Sequence, residues 1–432
     1  MEVYLESKRE DGLTEEEIRN ALCQALADRR PQKVLIIPPD FTRYHSNGGF
    51  ITNVCYHMLT ERGCLVDILP AVGTHEPISR EQFSCMYGDI PFEKVLIHDW
   101  RKDVEKLGEV PGEYLSEVTG GIWEEPVDVE VNRLLFHGGY DLILSVGQVV
   151  PHEVVGMSNH SKNIFVGVGG KDMINKSHMV GAVYGLERIM GKDHTPVRKL
   201  FDYAQDHYLG GCPLIYILTV TTAPMGNIRT HGLFIGEKRA VLEHAVALSQ
   251  KKNIDFVNKG IRKCIVYLDP KEFKSTWLGN KAVYRTRMAL KDGAELIILA
   301  PGVNKFGEDA ENDRIIRKYG YRGRENILEL YHNNRDLREN MSVAAHLIHG
   351  SSDGRFQITY AVKAISQKEI RSVGFESADY DEVAAKYCPD HLDTGWNILS
   401  DGEEVFYIPN PALGLWIDRK RFEQTKEEEK NE

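Results

Sequence analysis

Short apolar runs alternating with stretches of helical periodicity constrain this chain more than any other feature. "KVLIIPPD" (33–40) precedes the helical pattern "GGFITNVCYHMLTERG", "CLVDILPAVGTH" (64–75) precedes "SREQFSCMYG", and "KVLIHDW", "VDVEVNRLLF", "YDLILSVGQVV" (140–150) and "PLIYILTVTT" follow. Strands alternating with helices of this length predict crossover units and a mostly parallel sheet, hence an α/β fold. A helix through "FIGEKRAVLEHAVALSQ" leads into the polar stretch "KKNIDFVNKGIR". A second α/β series then restarts with "CIVYLD", "NKAVYRTRMALKDG", "AELIILAPG", "RFQITYAV" and "EVFYIPNPALGLWID", interrupted by the helical insertion "RENILELYHNNRDLRENMSVAAHL".

At 432 residues the chain exceeds one ordinary core. Two α/β domains are therefore expected, residues 1–255 and 256–432, with the active site in the cleft between them and the last segment a candidate to pack back on the first domain. A formal net charge of −11 with interspersed signs argues against nucleic acid or an anionic membrane as partner. A small molecule fits better. The charged N-terminus lacks an apolar h-region and no run reaches the roughly 18 to 20 apolar residues of a membrane span, so the expectation is a cytoplasmic protein. Seven scattered cysteines without a C-x-x-C suggest buried thiols in a reducing compartment. The tail "TKEEEKNE" reads as a solvated end.

In parallel sheets ligands sit beyond the carboxyl ends of the strands. Here those ends carry Asp40-Phe41-Thr42-Arg43, Thr74-His75-Glu76-Pro77, His98-Asp99 and Pro151-His152. Imidazoles titrate near neutrality, so His98 and His152 on opposite sides of a substrate can exchange acid and base roles. Three histidines, His98, His152 and His178, can alternatively hold zinc, although their spacing has no compact metal-motif form. Lys162, in "SNHSKNIFVGVGG", reads as a solvated loop lysine when taken alone. Gly167, Gly169 and Gly170 can let backbone amides approach phosphate without matching a dinucleotide fingerprint. "DFTR" reads either as a helix N-cap with a nearby ion pair or as a grip on phosphate, ribose or a substrate carboxylate.

Taken together these segments resemble the nickel-pincer lactate racemases and their relatives, the racemases and epimerases of α-hydroxy acids. The matches, in order along the chain, are D-x-T-R at Asp40–Arg43, the Gly73-Thr74-His75-Glu76-Pro77 segment, and His98. His152 follows, with Lys162 ten residues later and His178 sixteen after that. Lys281, eleven residues before Asp292-Gly293, and the closing "VFYIPNPALGLWI" complete the series. The resemblance implies a nickel pyridinium-3-thioamide-5-thiocarboxylate mononucleotide, the nickel-pincer nucleotide, tethered to Lys162, with His178 completing the nickel coordination. Asp40, Thr42 and Arg43 would bind the nucleotide. Arg43 and Lys281 would hold the substrate carboxylate or polarise its carbonyl oxygen. It implies hydride removal from C2 rather than deprotonation, with His98 and His152 handling the hydroxyl proton on either face. Cofactor-maturation proteins are implied as partners; the sequence leaves the oligomeric state open.

Three positions depart from the family pattern. Ser158-Asn159-His160 replaces S-G-G, Leu278 replaces a glutamine and Glu76 an arginine. Asn159 and His160 add hydrogen-bonding groups and are expected to bind substrate, which points to a larger, hydroxylated acid, an aldonate such as gluconate, rather than lactate. A zinc-dependent hydrolase or lyase, and a non-catalytic carrier of the nucleotide, are the competing readings. A nicotinamide dehydrogenase is disfavoured because no G-x-G-x-x-G follows an early strand.

Overall fold

The computed structural model describes residues 2–75 and 77–424. Glu76 and the charged tail from Thr425 onward lie outside them. The fold is mixed α/β with mostly parallel sheets, and it divides into two compact units: residues 1–180 with 189–253, and residues 181–188 with 254–432. Among the described residues no helix is long and apolar enough to cross a membrane.

The first unit is built on a six-stranded sheet. Its strands run in the order Val3–Glu6, Arg229–Gly236, Leu214–Thr222, Leu142–Gln148, Lys33–Ile37, Leu65–Ile68. The last four are mutually parallel, whereas Arg229–Gly236 pairs antiparallel with both of its neighbours. Val34, Leu35, Ile36 and Ile37 are all completely buried, as expected of a central parallel strand covered on both faces. From Lys33–Ile37 the chain first goes outward to Leu65–Ile68, then returns to lay Leu142–Gln148 on the other side. The carboxyl ends of Lys33–Ile37 and Leu142–Gln148 therefore flank a topological switch point, where an open α/β sheet forms its ligand crevice.

Three local expectations need correction. "KVLIHDW" is not a strand: Val95 makes a single bridge to Ile68, Leu96 donates one bond to Ile68 O, and Ile97 is 65% exposed. The chain then turns, with Asp99 accepting from the amide of Arg101 and Asp103 from that of Asp99. Second, Val127–Asn132 lies outside the main sheet and pairs antiparallel with Val104–Val110. Its apolar face, Val127, Val129 and Val131, is buried while acidic residues alternate between them, the pattern of a strand with one solvated face. Third, "FIG" ends the strand Arg229–Gly236, and the helix begins only at Ala240.

In the second unit the sheet order is Glu376–Asp379, Phe356–Val362, Leu290–Ala300, Ile261–Tyr267, Glu404–Ile408, Gly395–Ile398, parallel except for the final pair. The expected helix through residues 280–293 is short, Lys281–Thr286, because Leu290 already pairs with Ile261. Asp255–Val257 joins Trp416–Asp418 in parallel, so the closing segment pairs with the start of its own unit. Residues 181–188, expected in the first domain, belong to the second unit for an electrostatic reason. The buried Arg287 guanidinium donates to Glu187 at 2.8 Å and to Asp353 at 3.1 Å, and Arg355 reaches the same Glu187 oxygen at 2.7 Å. Burial acts to raise the Glu187 carboxyl, but the two guanidiniums outweigh it and hold it at about 2.

Removing one partner from such a network strands a buried charge, which costs about 3–5 kcal/mol. Glu187→Leu is expected to lower stability by roughly that amount in urea unfolding. The Glu187 carboxyl is depressed in the folded state, so its contribution is present above the ordinary glutamate range and lost as pH falls toward 2. An unchanged unfolding midpoint at neutral pH would contradict this assignment.

Candidate active site

The crevice at the switch point is lined by short, heavily constrained segments. After the strand Lys33–Ile37, Pro38 and Pro39 end the extended run and Asp40 caps the 3-10 turn Phe41–Ser46, accepting from the Thr42 amide at 3.1 Å and its hydroxyl at 2.5 Å. The second Asp40 oxygen accepts from His75 Nδ1 at 2.5 Å. Burial acts to raise the Asp40 carboxyl, yet the bonds from His75 and Thr42 hold it below its ordinary value. The structural reading of "DFTR", an N-cap with an ion pair, is thus realised in Asp40 and His75. Arg43 stays exposed and has left helical geometry, with φ −108° and ψ 31°.

Across the crevice, Pro151–His152 pairs with Gly156–Met157 in a minimal hairpin. Gly156 has φ +92°, and a Cβ there would stand 2.2 Å from Lys192 O, so only glycine fits. His152 is buried. Its Nδ1 accepts from the Val154 amide at 3.1 Å, which places the ring proton on Nε2. Burial first, then the charges of Lys162, Arg43 and His178 against that of Glu153, push its imidazolium well below the ordinary range. It is a neutral imidazole at physiological pH.

Lys162 precedes a π-helical turn, Asn163–Gly167, a geometry concentrated at functional sites. The turn is pinned by Asn163, whose amide donates to Ile37 O at 3.2 Å and Ser145 Oγ at 2.9 Å, and by the Gly73 amide, which donates to Gly167 O. Burial, then Arg43, with Arg198 adding to it and Glu153 and Asp40 opposing, lowers the Lys162 ammonium to about 8. Its amine is available as a nucleophile near neutrality, which a solvated lysine's is not. On the helix Lys171–Tyr184, His178 donates from Nδ1 to Ile174 O at 2.5 Å. That bond fixes the tautomer and leaves the lone pair on Nε2, an arrangement that could ligate a metal. Burial, mainly, keeps it neutral.

His152, Lys162, His178 and Arg43 therefore gather, together with Glu153, which sequence reasoning did not single out. His98 does not share their electrostatic environment. It is buried, its Nε2 donates to Gly169 O at 3.1 Å and its Nδ1 accepts from Asn132 Nδ2 at 3.0 Å. Both ring nitrogens are occupied, so one bond must open before His98 can exchange a proton. Asn132 was missed because a lone asparagine in a strand carries no motif.

The expectation that His160 and Asn159 bind substrate is not met. His160 is completely buried and stacks on Tyr216 with ring centroids 3.7 Å apart. The Asn159 side chain accepts from the His160 amide at 2.7 Å and lies on Gly147, where a Cβ would meet its Nδ2 at 1.9 Å. Lys281 opens its helix in the second unit with the ammonium 5.8 Å from the Phe273 ring centroid. A cavity of about 770 Å³ in that unit is lined by none of the expected site residues. Among the described residues no three His, Cys, Asp or Glu side chains converge as a metal-holding group, the arrangement a three-histidine zinc site requires.

Residues 5–185 match the family described as the lactate racemase N-terminal domain. Over this stretch the chain is similar to that domain. Two solved structures share the fold over nearly the whole chain. A protein from Thermotoga maritima aligns with a TM-score of 0.79 at 24% identity, covering 96% of this chain and 100% of its own. The lactate racemase apoprotein from Thermoanaerobacterium thermosaccharolyticum aligns with a TM-score of 0.67 at 15% identity, covering 97% and 100%. No curated protein matches the sequence.

An amine-selective acetylating reagent, followed by peptide mass spectrometry across pH, reads the state of Lys162 directly. Its labelling is expected to rise with a midpoint near 8, whereas exposed lysines rise near about 10.4. A Lys162 midpoint in that ordinary range would remove the case for an activated amine.

Proposed function

We propose that this protein is a racemase or epimerase that inverts C2 of an α-hydroxy acid with a nickel-pincer nucleotide carried on Lys162. The observation that carries this reading is the pairing of an activated, half-buried Lys162 amine with His178, whose Nδ1 is tied to Ile174 O and whose Nε2 is left for a metal. These groups fit the nucleotide: an amine that loses its proton near 8 for attachment and a neutral imidazole for nickel. Asp40 holds the turn that presents Thr42 and Arg43, the groups proposed to bind its phosphate and ribose. When bound, the nickel-pincer nucleotide supplies a hydride acceptor, which avoids forming a carbanion beside a carboxylate.

The chain's own residues handle the proton and the charge. In the tautomer set by the Val154 amide, His152 offers Nε2–H to a substrate oxygen; it would take the hydroxyl proton through the Nδ1 lone pair once the Val154 bond opens. His98 would supply a proton on the opposite face from Nε2–H once its bond to Gly169 O opens. Arg43 faces the same crevice as a cation for the carboxylate, and Lys281 is assigned a carboxylate or carbonyl contact. With Asn159 and His160 spent inside the protein, the argument from those residues for an aldonate such as gluconate falls, and substrate size is left to other crevice residues. The proposed setting is cytoplasmic, where maturation proteins would load the nucleotide.

Protein produced together with the cofactor-maturation proteins should carry one nickel and a mass increment mapping to Lys162, and should invert α-hydroxy acids. Turnover of lactate, malate and gluconate measured in parallel then assigns the substrate. His152→Asn is expected to lower turnover by about 10²–10⁴-fold, the usual contribution of a positioned acid/base. Active protein with unmodified Lys162, or zinc in place of nickel, would overturn the reading. A modified Lys162 without inversion of any hydroxy acid would identify a carrier instead.

A further inference from the structure

The segment that delivers Lys162 is under unusual constraint. Asn159 and His160 are consecutive non-glycine residues in left-handed conformation, with φ +65° and +58°, a pairing that side chains disfavour. Both ring nitrogens of the buried His160 lack a hydrogen-bond partner. Such cost persists only where surrounding structure enforces it. The enforcing group is Arg198, itself 1% exposed. From the third position of the helix Pro196–Tyr208 its guanidinium donates to Met157 O at 2.7 Å, Asn159 O at 3.2 Å and Ser161 Oγ at 2.9 Å. The helix is anchored to the same loop by its cap, Thr195, whose hydroxyl donates to Val155 O at 2.8 Å. The nearby carboxylates, Asp193 and Asp202, are bonded to Arg239. The Arg198 guanidinium is thus committed to the backbone and hydroxyl of residues 157–161.

We propose that Arg198 is a positioning residue for Lys162: by bonding Met157, Asn159 and Ser161 at once it locks the left-handed turn and fixes where the Lys162 amine stands. A planar fork can hold three acceptors on one loop, which a lysine ammonium on a flexible stem cannot reproduce. The inference rests on Lys162 being the attachment point, but its test needs neither cofactor nor substrate.

The pH midpoint of Lys162 acetylation is measured in wild type, Arg198→Met, Arg198→Lys and Ser161→Ala, with Lys171 as the exposed internal control and circular dichroism confirming the fold. If the clamp places the amine, the midpoint moves upward by about one pH unit or more in both Arg198 variants, as the amine leaves its buried, cation-flanked position. It moves by a smaller amount in Ser161→Ala, while Lys171 is unchanged. An unmoved midpoint in folded Arg198→Met, or full retention of the wild-type midpoint in Arg198→Lys, overturns the proposal. Should both Arg198 variants fail to fold, Ser161→Ala decides it, an unmoved midpoint there being the overturning result. Failure of the clamp leaves the attachment reading intact, and absence of a mass increment at Lys162 in loaded protein overturns that reading without touching the clamp.

Discussion

The candidate site depends on one side chain amide. Asn163 bonds Ile37 O and Ser145 Oγ, one group on each of the two parallel strands that flank the switch point. A parallel sheet offers its crevice at that point whatever the sequence, but nothing in the sheet itself puts a lysine there. Asn163 does, because its two bonds hold the π-helical turn against both strand ends, with Lys162 immediately before it. A buried amide with unmet donors costs about 1–3 kcal/mol, so the turn cannot shift to regular helical register without leaving this amide unsatisfied.

Placement decides charge. Burying an amine and two imidazoles in one crevice, beside Arg43 and with Arg198 behind the loop, disfavours every additional proton there. Glu153 opposes this and does not prevail: Lys162 falls to about 8 and both His152 and His178 are held neutral. In the proposed function the amine, the metal-ligating imidazole and the acid/base imidazole would each start from the unprotonated form. One electrostatic cause thus acts on three groups to which the proposed function gives different tasks, and the backbone bonds to Ile174 and Val154 set opposite tautomers, leaving a lone pair on His178 Nε2 and a proton on His152 Nε2.

Much of this was legible in the sequence, for identifiable reasons. Uninterrupted apolar runs such as "VLII" and "LILSV" declare strands buried on both faces, and their carboxyl ends pointed to Asp40 and His152, whereas Lys162 stood out only through the family resemblance. "VDVEV" carried a different message, strict alternation, and so belongs to an antiparallel hairpin; its period distinguishes it from the central strands. "VLI" before His98 failed as a strand because pairing depends on a neighbour's length, and Leu65–Ile68 is too short to extend it. Residues 181–188 were misplaced because their membership rests on Glu187 meeting Arg287 and Arg355, a contact spanning at least 100 positions. His160 was misread for a similar reason: its left-handed backbone turns the ring away from the crevice, onto Tyr216, and residue type alone does not reveal φ.

The position of His98 bears on how the proposed inversion would be achieved. Reaction at both faces of C2 needs a proton acceptor on each side, and spacing alone suggested two equivalent histidines. They are not equivalent. His152 spends one nitrogen on its own hairpin, whereas His98 spends both, on Gly169 O and on Asn132, whose Oδ1 is fixed in turn by the Leu134 amide. The Asn132 contact sets the His98 tautomer, so the weaker restraint is the Gly169 carbonyl, on the glycine segment that follows the π-helical turn. In the proposed function the His98 restraint and the attachment site thus lie on one continuous segment, residues 162–169.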